Sequence, residues 1–165
     1  MNIFYLSDDP VEATTFMVDA HAKGGKMICE SAQLLANCYP LEVLSSTDCP
    51  RTFTGAIRKY SHYNHPVAIW TRESIENFKW LLKHAQALVA EREYRTNKGH
   101  FTSRFIDWVS ANIPSLPVKS FTSPRLAMPD YCKLENPILS YRNYYNLEKR
   151  HLFRWTKRPT PIWIS

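Results

Sequence analysis

The sequence predicts an all-α fold: a compact single domain over residues 1–165, with about four to five helices and a long Pro-rich loop. Three observations favour this class. Apolar residues recur at helical spacing in several stretches, strand-like alternation is scarce, and Pro and capping residues mark the helix ends. The chain is also long enough to bury one substantial core.

Two helices are predicted near the N-terminus. Asp9 followed by Pro10 is typical of a helix start, so we expect a helix over residues 10–20. A second helix begins after Gly25. Its polar side chains form one narrow line between apolar strips, namely Lys26, Glu30, Gln33 and Asn37.

Two more helices are predicted in the middle of the chain. Thr71 is a candidate N-cap for a long helix that runs to about Arg95, with apolar residues at helical spacing along it. Residues 103–112 form a shorter predicted helix, with Ser103 as its cap.

A long loop and a final helix complete the predicted fold. Four prolines interrupt residues 113–133, which predicts a loop, and its apolar residues predict that the loop packs on the body. These apolar residues are Phe121, Leu126 and Met128. Asn136 and Pro137 then begin a final long helix that is expected to reach Trp155.

Composition excludes several classes of protein. No apolar run approaches the roughly 20 residues of a membrane span and no signal peptide is recognisable, which predicts a cytoplasmic protein with no membrane partner. The four cysteines form no CxxC pair, so reduced thiols are expected. His62 and His65 have a metal-ligand spacing but no second cluster, so we expect no metal and no cofactor. Common nucleotide-fold, metalloprotease and hydrolase motifs are absent.

Positive charge is concentrated at the C-terminal end. The net charge is +6, and residues 141–165 contain six basic residues and one acidic residue, interleaved with aromatic residues. This pattern is typical of a surface that binds phosphates and stacks bases. The alternative is a solvated amphipathic helix with an aromatic core stripe.

Two charged residues are candidates for a functional role, one in phosphate binding and one in acid–base catalysis. Arg72, beside Glu73 at the predicted helix start, could hold a phosphate with helix N-terminal amides or form an ion pair at the helix end. Glu30 is the best candidate for a general acid or base, if its polar line faces a cleft. The alternative is a solvated ion pair between Lys26 and Glu30, worth about 0.3–0.5 kcal/mol.

Several short stretches resemble one known family. They are Asp19-x-His21 ahead of a helix that carries Glu30, "GAIRK" at 55–59, "NHPVAIWTRESIENFKWLL" at 64–82 and "RPTPIW" at 158–163. The chain resembles the phage pyrimidine-dimer DNA glycosylases of the endonuclease V type and related small phage proteins.

The resemblance implies an all-α domain whose N-terminal segment packs between helices, with the α-amine in the active site. The amine attacks the sugar C1′ of a damaged nucleotide, a Schiff base forms, and a glutamate assists strand cleavage by β-elimination. An α-amine suits this role because its ordinary pKa is about 7.7–8.0. The catalytic residues would then be Met1, Glu30 and His21. The expected contacts to nucleic acid or phosphate are Lys26, Arg58, Lys59, His65, Arg72, Arg142, Lys149, Arg154, Trp155 and Arg158.

Two features depart from the family pattern. The family exposes its amine on a small residue after removal of the initiator Met, whereas here the bulky Asn2 follows Met1. Two extra residues also separate His21 from Glu30, within a Gly-Gly segment.

Three functions therefore stay open at the level of sequence. The first is a DNA glycosylase or AP lyase that acts on a damaged or modified base in duplex DNA. The second is a phage counter-defence protein that binds or cleaves a small nucleotide signal in a basic, aromatic pocket. The third is a small structural or host-interaction protein. A phage-encoded chain would act in the infected host cell.

Overall fold

The structure is a computed structural model that describes all residues 1–165, and it contains helices and loops but no β-strand. The prediction of an all-α fold is confirmed. The α-helices number eight because the chain forms several short helices in addition to the predicted ones. They are α1 Pro10–Thr15, α2 Asp19–Ala22, α3 Lys26–Ala36, α4 Leu41–Ser45, α5 Pro66–Glu73, α6 Ile75–Thr96, α7 Ser103–Ala111 and α8 Pro137–Glu148. Two 3-10 turns follow the same order, at Asp130–Cys132 and Arg150–Leu152.

The longest helix, α6, is the centre of the fold. It packs against α1, α3, α5 and α7. Although α6 is long, neither it nor any other helix of the chain is apolar enough over a sufficient length to cross a bilayer. Its apolar residues recur every three or four positions, so one face is fully buried at Phe78, Leu81, Ala85 and Leu88. Each large apolar side chain buried in this way stabilises the fold by about 1.5–3 kcal/mol.

The N-terminal segment lies between helices without regular structure, as predicted. Ile3, Tyr5 and Leu6 have no exposed surface. Backbone groups in this segment still need partners, because buried polar groups are costly when unpaired. Arg142 provides one: its Nε and Nη2 donate to the Leu6 carbonyl at 3.1 and 2.9 Å. The segment is thereby fixed to α8.

The predicted Pro-rich loop is present and packs on α5 and α6. The Trp70 indole N–H donates to the Thr122 carbonyl at 2.8 Å, and the Asn77 side-chain carbonyl accepts the Thr122 amide N–H at 2.9 Å. Leu126 and Met128 pack against the core. The loop therefore has a defined path, and its one regular element is the 3-10 turn Asp130–Cys132.

The prediction of one helix over residues 10–20 is wrong, because α1 ends at Thr15 and α2 is a separate helix. The carbonyls that would continue α1 accept donors from distant segments instead. Arg95 donates to the Thr15 and Met17 carbonyls, and the Trp155 indole donates to the Phe16 carbonyl. Tertiary donors thus replace the helical hydrogen bonds at this bend.

The predicted start of the long helix at Thr71 is also wrong. Thr71 lies inside α5, and its hydroxyl donates back to the Val67 carbonyl at 2.8 Å. The cap of α6 is Ser74, which is extended and accepts the Glu76 amide N–H at 3.1 Å. The predicted end near Arg95 is confirmed, since α6 ends at Thr96.

Two other boundaries differ from the prediction. The N-cap of α7 is Thr102, so Ser103 is the first helical residue. The final helix ends at Glu148 rather than near Trp155. Beyond it the chain turns toward α2, where the Asp19 amide N–H donates to the Arg154 carbonyl at 2.8 Å.

A buried ion network joins α1, α2, α6 and the C-terminal segment. The Arg95 side chain has no exposed surface and donates to Glu91 Oε1 at 2.6 Å and to Asp19 Oδ1 at 3.2 Å. Arg158 donates to both oxygens of Glu91, at 3.0 and 2.8 Å. Burial raises the pKa of Asp19, but hydrogen bonds from Thr156, Lys23 and Arg95 outweigh it and lower that pKa to about 2. Both carboxyl groups of the network therefore stay ionised at neutral pH.

Arg95→Met tests this network. Removing the guanidinium leaves two buried carboxylates with fewer partners, so we expect a loss of about 3–5 kcal/mol in the free energy of unfolding, measured with urea. Arg125→Met is the matched control, since Arg125 is half exposed and pairs with Glu73 at the surface, and it should cost about 0–1 kcal/mol. Equal losses in the two variants would contradict a structural role for the network.

The pH dependence of stability tests a second buried group, His84. Both ring nitrogens are buried without a hydrogen-bond partner, the ring stacks on Trp80, and burial lowers its pKa to about 3. Below about pH 6.5 the unfolded chain takes up a proton at this ring and the folded chain does not. Stability from this residue is therefore complete above pH 6.5 and is lost as pH falls toward 3.

We expect wild type to lose up to about 1.4 kcal/mol per pH unit more than His84→Phe over this range, in urea unfolding at a series of pH values. Phenylalanine keeps the stacked ring and removes the titrating nitrogens. Parallel stability curves for the two proteins would show that His84 titrates normally in the fold.

Candidate active site

A cavity of about 280 Å³ lies where the N-terminal segment meets α2, α3 and the end of α8. It combines a carboxylate, two lysines, a histidine and aromatic rings. Its lining consists of Met1, Asn2, Phe4, His21, Lys26, Met27, Glu30, Ala127, Tyr144 and Lys149. The three predicted catalytic residues therefore lie together, and two of the predicted phosphate contacts lie with them.

Glu30 points into this cavity rather than into solvent. Its carboxylate Oε2 accepts the Asn2 backbone N–H at 3.0 Å, and its side chain is only 16% exposed. Lys26, one turn earlier on α3, is 3.8 Å from Oε1 and 80% exposed. The alternative of a solvated ion pair does not fit a carboxylate that is held against the N-terminal segment.

The first residues of the chain have a defined conformation. The Asn2 side chain donates to the Ala127 carbonyl at 2.9 Å and accepts the Phe4 amide N–H at 2.9 Å. Phe4 has a φ of +49°, a left-handed conformation that costs a non-glycine residue about 1–2 kcal/mol. Its ring stacks on His21, with 4.1 Å between centroids. This turn directs Met1 and Asn2 toward Glu30.

His21 is neutral at physiological pH. Burial is the main cause that lowers its pKa to about 4, and the positive charges of Lys149 and Lys26 contribute to the same shift. Its Nδ1 is 2.6 Å from the Tyr145 hydroxyl. Burial raises the pKa of Tyr145, so the hydroxyl keeps its proton and can donate to Nδ1, which leaves Nε2–H as a donor.

The cavity carries more positive than negative charge. Lys149 enters it from the end of α8, with its Nζ 4.6 Å from the centre of the Tyr144 ring. Lys26 and the α-amino group of Met1 add to this charge, and Glu30 is the only acidic side chain in the lining. An anionic ligand such as a phosphate therefore suits the mouth of the cavity.

His65 lies near this cavity without lining it. It caps α5, where its Nδ1 accepts the Val67 amide N–H at 3.2 Å. Burial lowers its pKa, and the positive charge of the chain's N-terminus is the next cause, with Glu30 acting in the opposite direction. The N-terminus and Glu30 are thus electrostatically coupled to the start of α5.

Four of the predicted nucleic-acid contacts have internal partners. Arg72 donates to the Tyr63 carbonyl, Arg142 to the Leu6 carbonyl, the Trp155 indole to the Phe16 carbonyl and Arg158 to the Glu91 carboxylate. Arg72 also lies in the last turn of α5, so it is not at the helix start that the sequence predicted. The C-terminal cations consequently do not form one continuous face along the final helix.

The remaining predicted contacts lie outside the cavity. Arg58 stacks on the Phe105 ring at 3.9 Å and donates to the Pro50 carbonyl, and Lys59 is exposed beside it. Arg154 is 78% exposed and lines a different cavity, which lies beyond α2. Two distinct basic regions therefore accompany the Glu30 cavity.

Several residues of the cavity were not anticipated from sequence. Asn2, Phe4 and Tyr144 line it, and Tyr145 supports His21 from behind. Of these four residues, only Tyr144 and Tyr145 have a signal in the sequence, because the aromatic residues at this end of the chain accompany the basic ones. No group of three or more His, Cys, Asp or Glu side chains is arranged to hold a metal ion.

Lys149→Met tests the electrostatics of the cavity. Removing this cation should raise the pKa of His21 above that of wild type, while burial keeps it below 6.5. The measurement is an NMR titration of the His21 ring. Arg150→Met is the control, because Arg150 is exposed and donates to the Ser165 carbonyl. A His21 titration unchanged by Lys149→Met would show that Lys149 does not face the ring.

Comparison with protein-family models, curated proteins and solved structures finds no match to this chain. Proposals about its function therefore depend on the geometry of the cavity and on the resemblance of its short motifs.

Proposed function

We propose that the protein is a phage-type DNA glycosylase or AP lyase that acts on a damaged or modified base through its N-terminal amine and Glu30. One observation carries the proposal: the Glu30 carboxylate is 3.0 Å from the Asn2 backbone nitrogen, in a cavity that Met1 also lines. An N-terminal amine and a carboxylate close to it are the two groups that amine-based lyase chemistry requires.

The proposed reaction uses only groups of this cavity. The neutral amine of Met1 forms a bond to C1′ of the sugar, and the bond from C1′ to the base breaks, so that the base leaves with a proton. Opening of the sugar ring gives an imine between C1′ and the amine nitrogen. Glu30 removes a proton from C2′, the C3′–O bond breaks, and the 3′ phosphate leaves. No oxidant, metal or cofactor is needed.

The other groups have roles that follow from their positions. Lys26 and Lys149 would hold the phosphates on either side of the target sugar, since both side chains line the cavity. The Tyr144 ring offers an apolar face to a displaced base or sugar, and the buried Phe4 ring packs beside it. Neutral His21 would donate a hydrogen bond to an oxygen of the substrate.

Glu30→Gln is the central test. Glutamine keeps the size and hydrogen-bonding ability but removes the base, so scission of a duplex with an abasic site should fall by about 10²–10⁴-fold. DNA affinity, measured by fluorescence anisotropy, should change little. Glu93→Gln, at an exposed position of α6, is the control and should cleave like wild type.

The nucleophile is tested by trapping. Borohydride reduces an imine to a stable amine, so wild type incubated with abasic or dimer-containing DNA should yield a covalent adduct that maps to Met1 by mass spectrometry. A removable N-terminal fusion should prevent the adduct until it is cleaved off. An adduct on Lys26 or Lys149 would show that this lysine, and not the Met1 amine, is the nucleophile. DNA binding without adduct or scission on either substrate would reject the lyase.

A small nucleotide ligand is the second candidate, and two specific observations favour it. The cavity is about 280 Å³, near the lower end of the range of about 300–1,000 Å³ that small ligands occupy. Arg142 and Arg158, which a duplex would need on the surface, have internal partners. A counter-defence protein that binds or cleaves a nucleotide signal would use the same lysines and rings.

Competition separates the two candidates within the same binding assays. A lyase should lose affinity for DNA steeply as salt increases, with a log–log slope near −0.9 per phosphate neutralised. A nucleotide-binding protein should be saturated by mononucleotides or cyclic nucleotides that long DNA displaces poorly. A protein that binds neither would favour a structural or host-interaction role.

A further inference from the structure

A second cavity, of about 680 Å³, lies beyond α2 from the candidate active site. Asp19 and Ala20 of α2 line it together with the following residue, Lys23, whereas His21 lines the Glu30 cavity. His21 and Lys23 are two residues apart on a helix and therefore point in nearly opposite directions. The single turn α2 thus forms a wall between the two cavities.

The lining of this second cavity is strongly cationic. It contains Lys23, Arg92, Arg95, Lys98 and Arg154, with Asp19 as the one acidic residue. Asp19 is shared by three of these cations, at 3.0 Å from Lys23, 3.2 Å from Arg95 and 3.5 Å from Arg154. Glu91 also contacts Arg95 but is shared with Arg158. The internal carboxylates therefore leave a clear excess of positive charge.

Three of the cations have N–H groups without a hydrogen-bond acceptor in the protein. Arg92 is held by two backbone carbonyls, those of Gly99 and Lys23, but its Nη2 has no partner. Lys98 is exposed and its ammonium makes no hydrogen bond, and the Arg154 side chain is 78% exposed. The fixed guanidinium of Arg92 makes a preorganised donor beside two exposed ones.

The end of α6 would oppose an anion if its carbonyls faced the cavity unpaired, because a helix C-terminus carries partial negative charge. Lys157 removes this obstacle. Its ammonium donates to the Tyr94 carbonyl at 2.6 Å and to Asn97 Oδ1 at 3.3 Å. The local field in the cavity is therefore set by the arginines and lysines.

We propose that this second cavity binds phosphate groups, at a site separate from Glu30. Planar guanidinium donors and compact ammonium groups around one open space match the oxygens of linked phosphates. The volume suits an oligophosphate or a short stretch of nucleic-acid backbone. Binding here does not depend on the reaction proposed for the Glu30 cavity.

The test is calorimetric titration of the full chain with sodium tripolyphosphate. Wild type should bind, and Lys98→Gln combined with Arg154→Gln should weaken binding by about tenfold or more, because the loss of even one charge-assisted contact is worth about that factor. Lys119→Gln combined with Arg104→Gln is the matched control, with the same loss of charge at exposed positions elsewhere. The control should bind within about twofold of wild type.

A second titration, with single-stranded oligothymidine, identifies the source of the phosphates. If tripolyphosphate displaces the oligonucleotide and the double variant loses both, the cavity binds nucleic-acid backbone. If only tripolyphosphate binds, the ligand is a free oligophosphate. Lys26→Gln combined with Lys149→Gln removes the two lysines of the Glu30 cavity and should bind tripolyphosphate like wild type, which separates this site from that cavity. No binding by wild type, or equal losses in the double variant and its control, would overturn the proposal.

Discussion

The buried guanidinium of Arg95 is the interaction on which the arrangement of both cavities depends. It joins the carbonyls that end α1, the carboxylate of Asp19 in α2 and the carboxylate of Glu91 in α6. Burying an ion is costly, and the network is stable only because each buried charge has several partners. Glu91 extends it to Arg158, and Asp19 to the Thr156 backbone, so the C-terminal segment is attached to the same point.

This network explains how so short a helix can hold side chains in both cavities. A helix of four residues such as α2 is not stable alone, because helix nucleation is unfavourable. The ion pairs of Asp19 hold it, and His21 then faces Phe4 and the Glu30 cavity while Lys23 faces the cationic cavity. Chemistry and phosphate binding would thus be supported by one rigid element, which is how a precise site is maintained.

Local sequence patterns predict the fold class, the polar line of α3 that carries Glu30, and the end of α6. They fail at the bend after α1, because Arg95 and Trp155 are donors from distant segments and no local rule contains them. For the same reason charge clustering does not reveal which C-terminal cations have internal partners. Glu30 and Asn2 are 28 residues apart along the chain, so local patterns could not predict their contact, although the resemblance implied it.

In the proposed reaction the N-terminal amine and Glu30 form one reactive site. A crystal structure of the protein with a duplex that contains a tetrahydrofuran analogue of an abasic site tests this most directly, since the analogue cannot form an imine and stays intact. We expect the analogue's ring to lie in the Glu30 cavity, between the Met1 amine and the carboxylate, with phosphates near Lys26 and Lys149. A ring located outside this cavity, with the N-terminus still packed against Glu30, would contradict it.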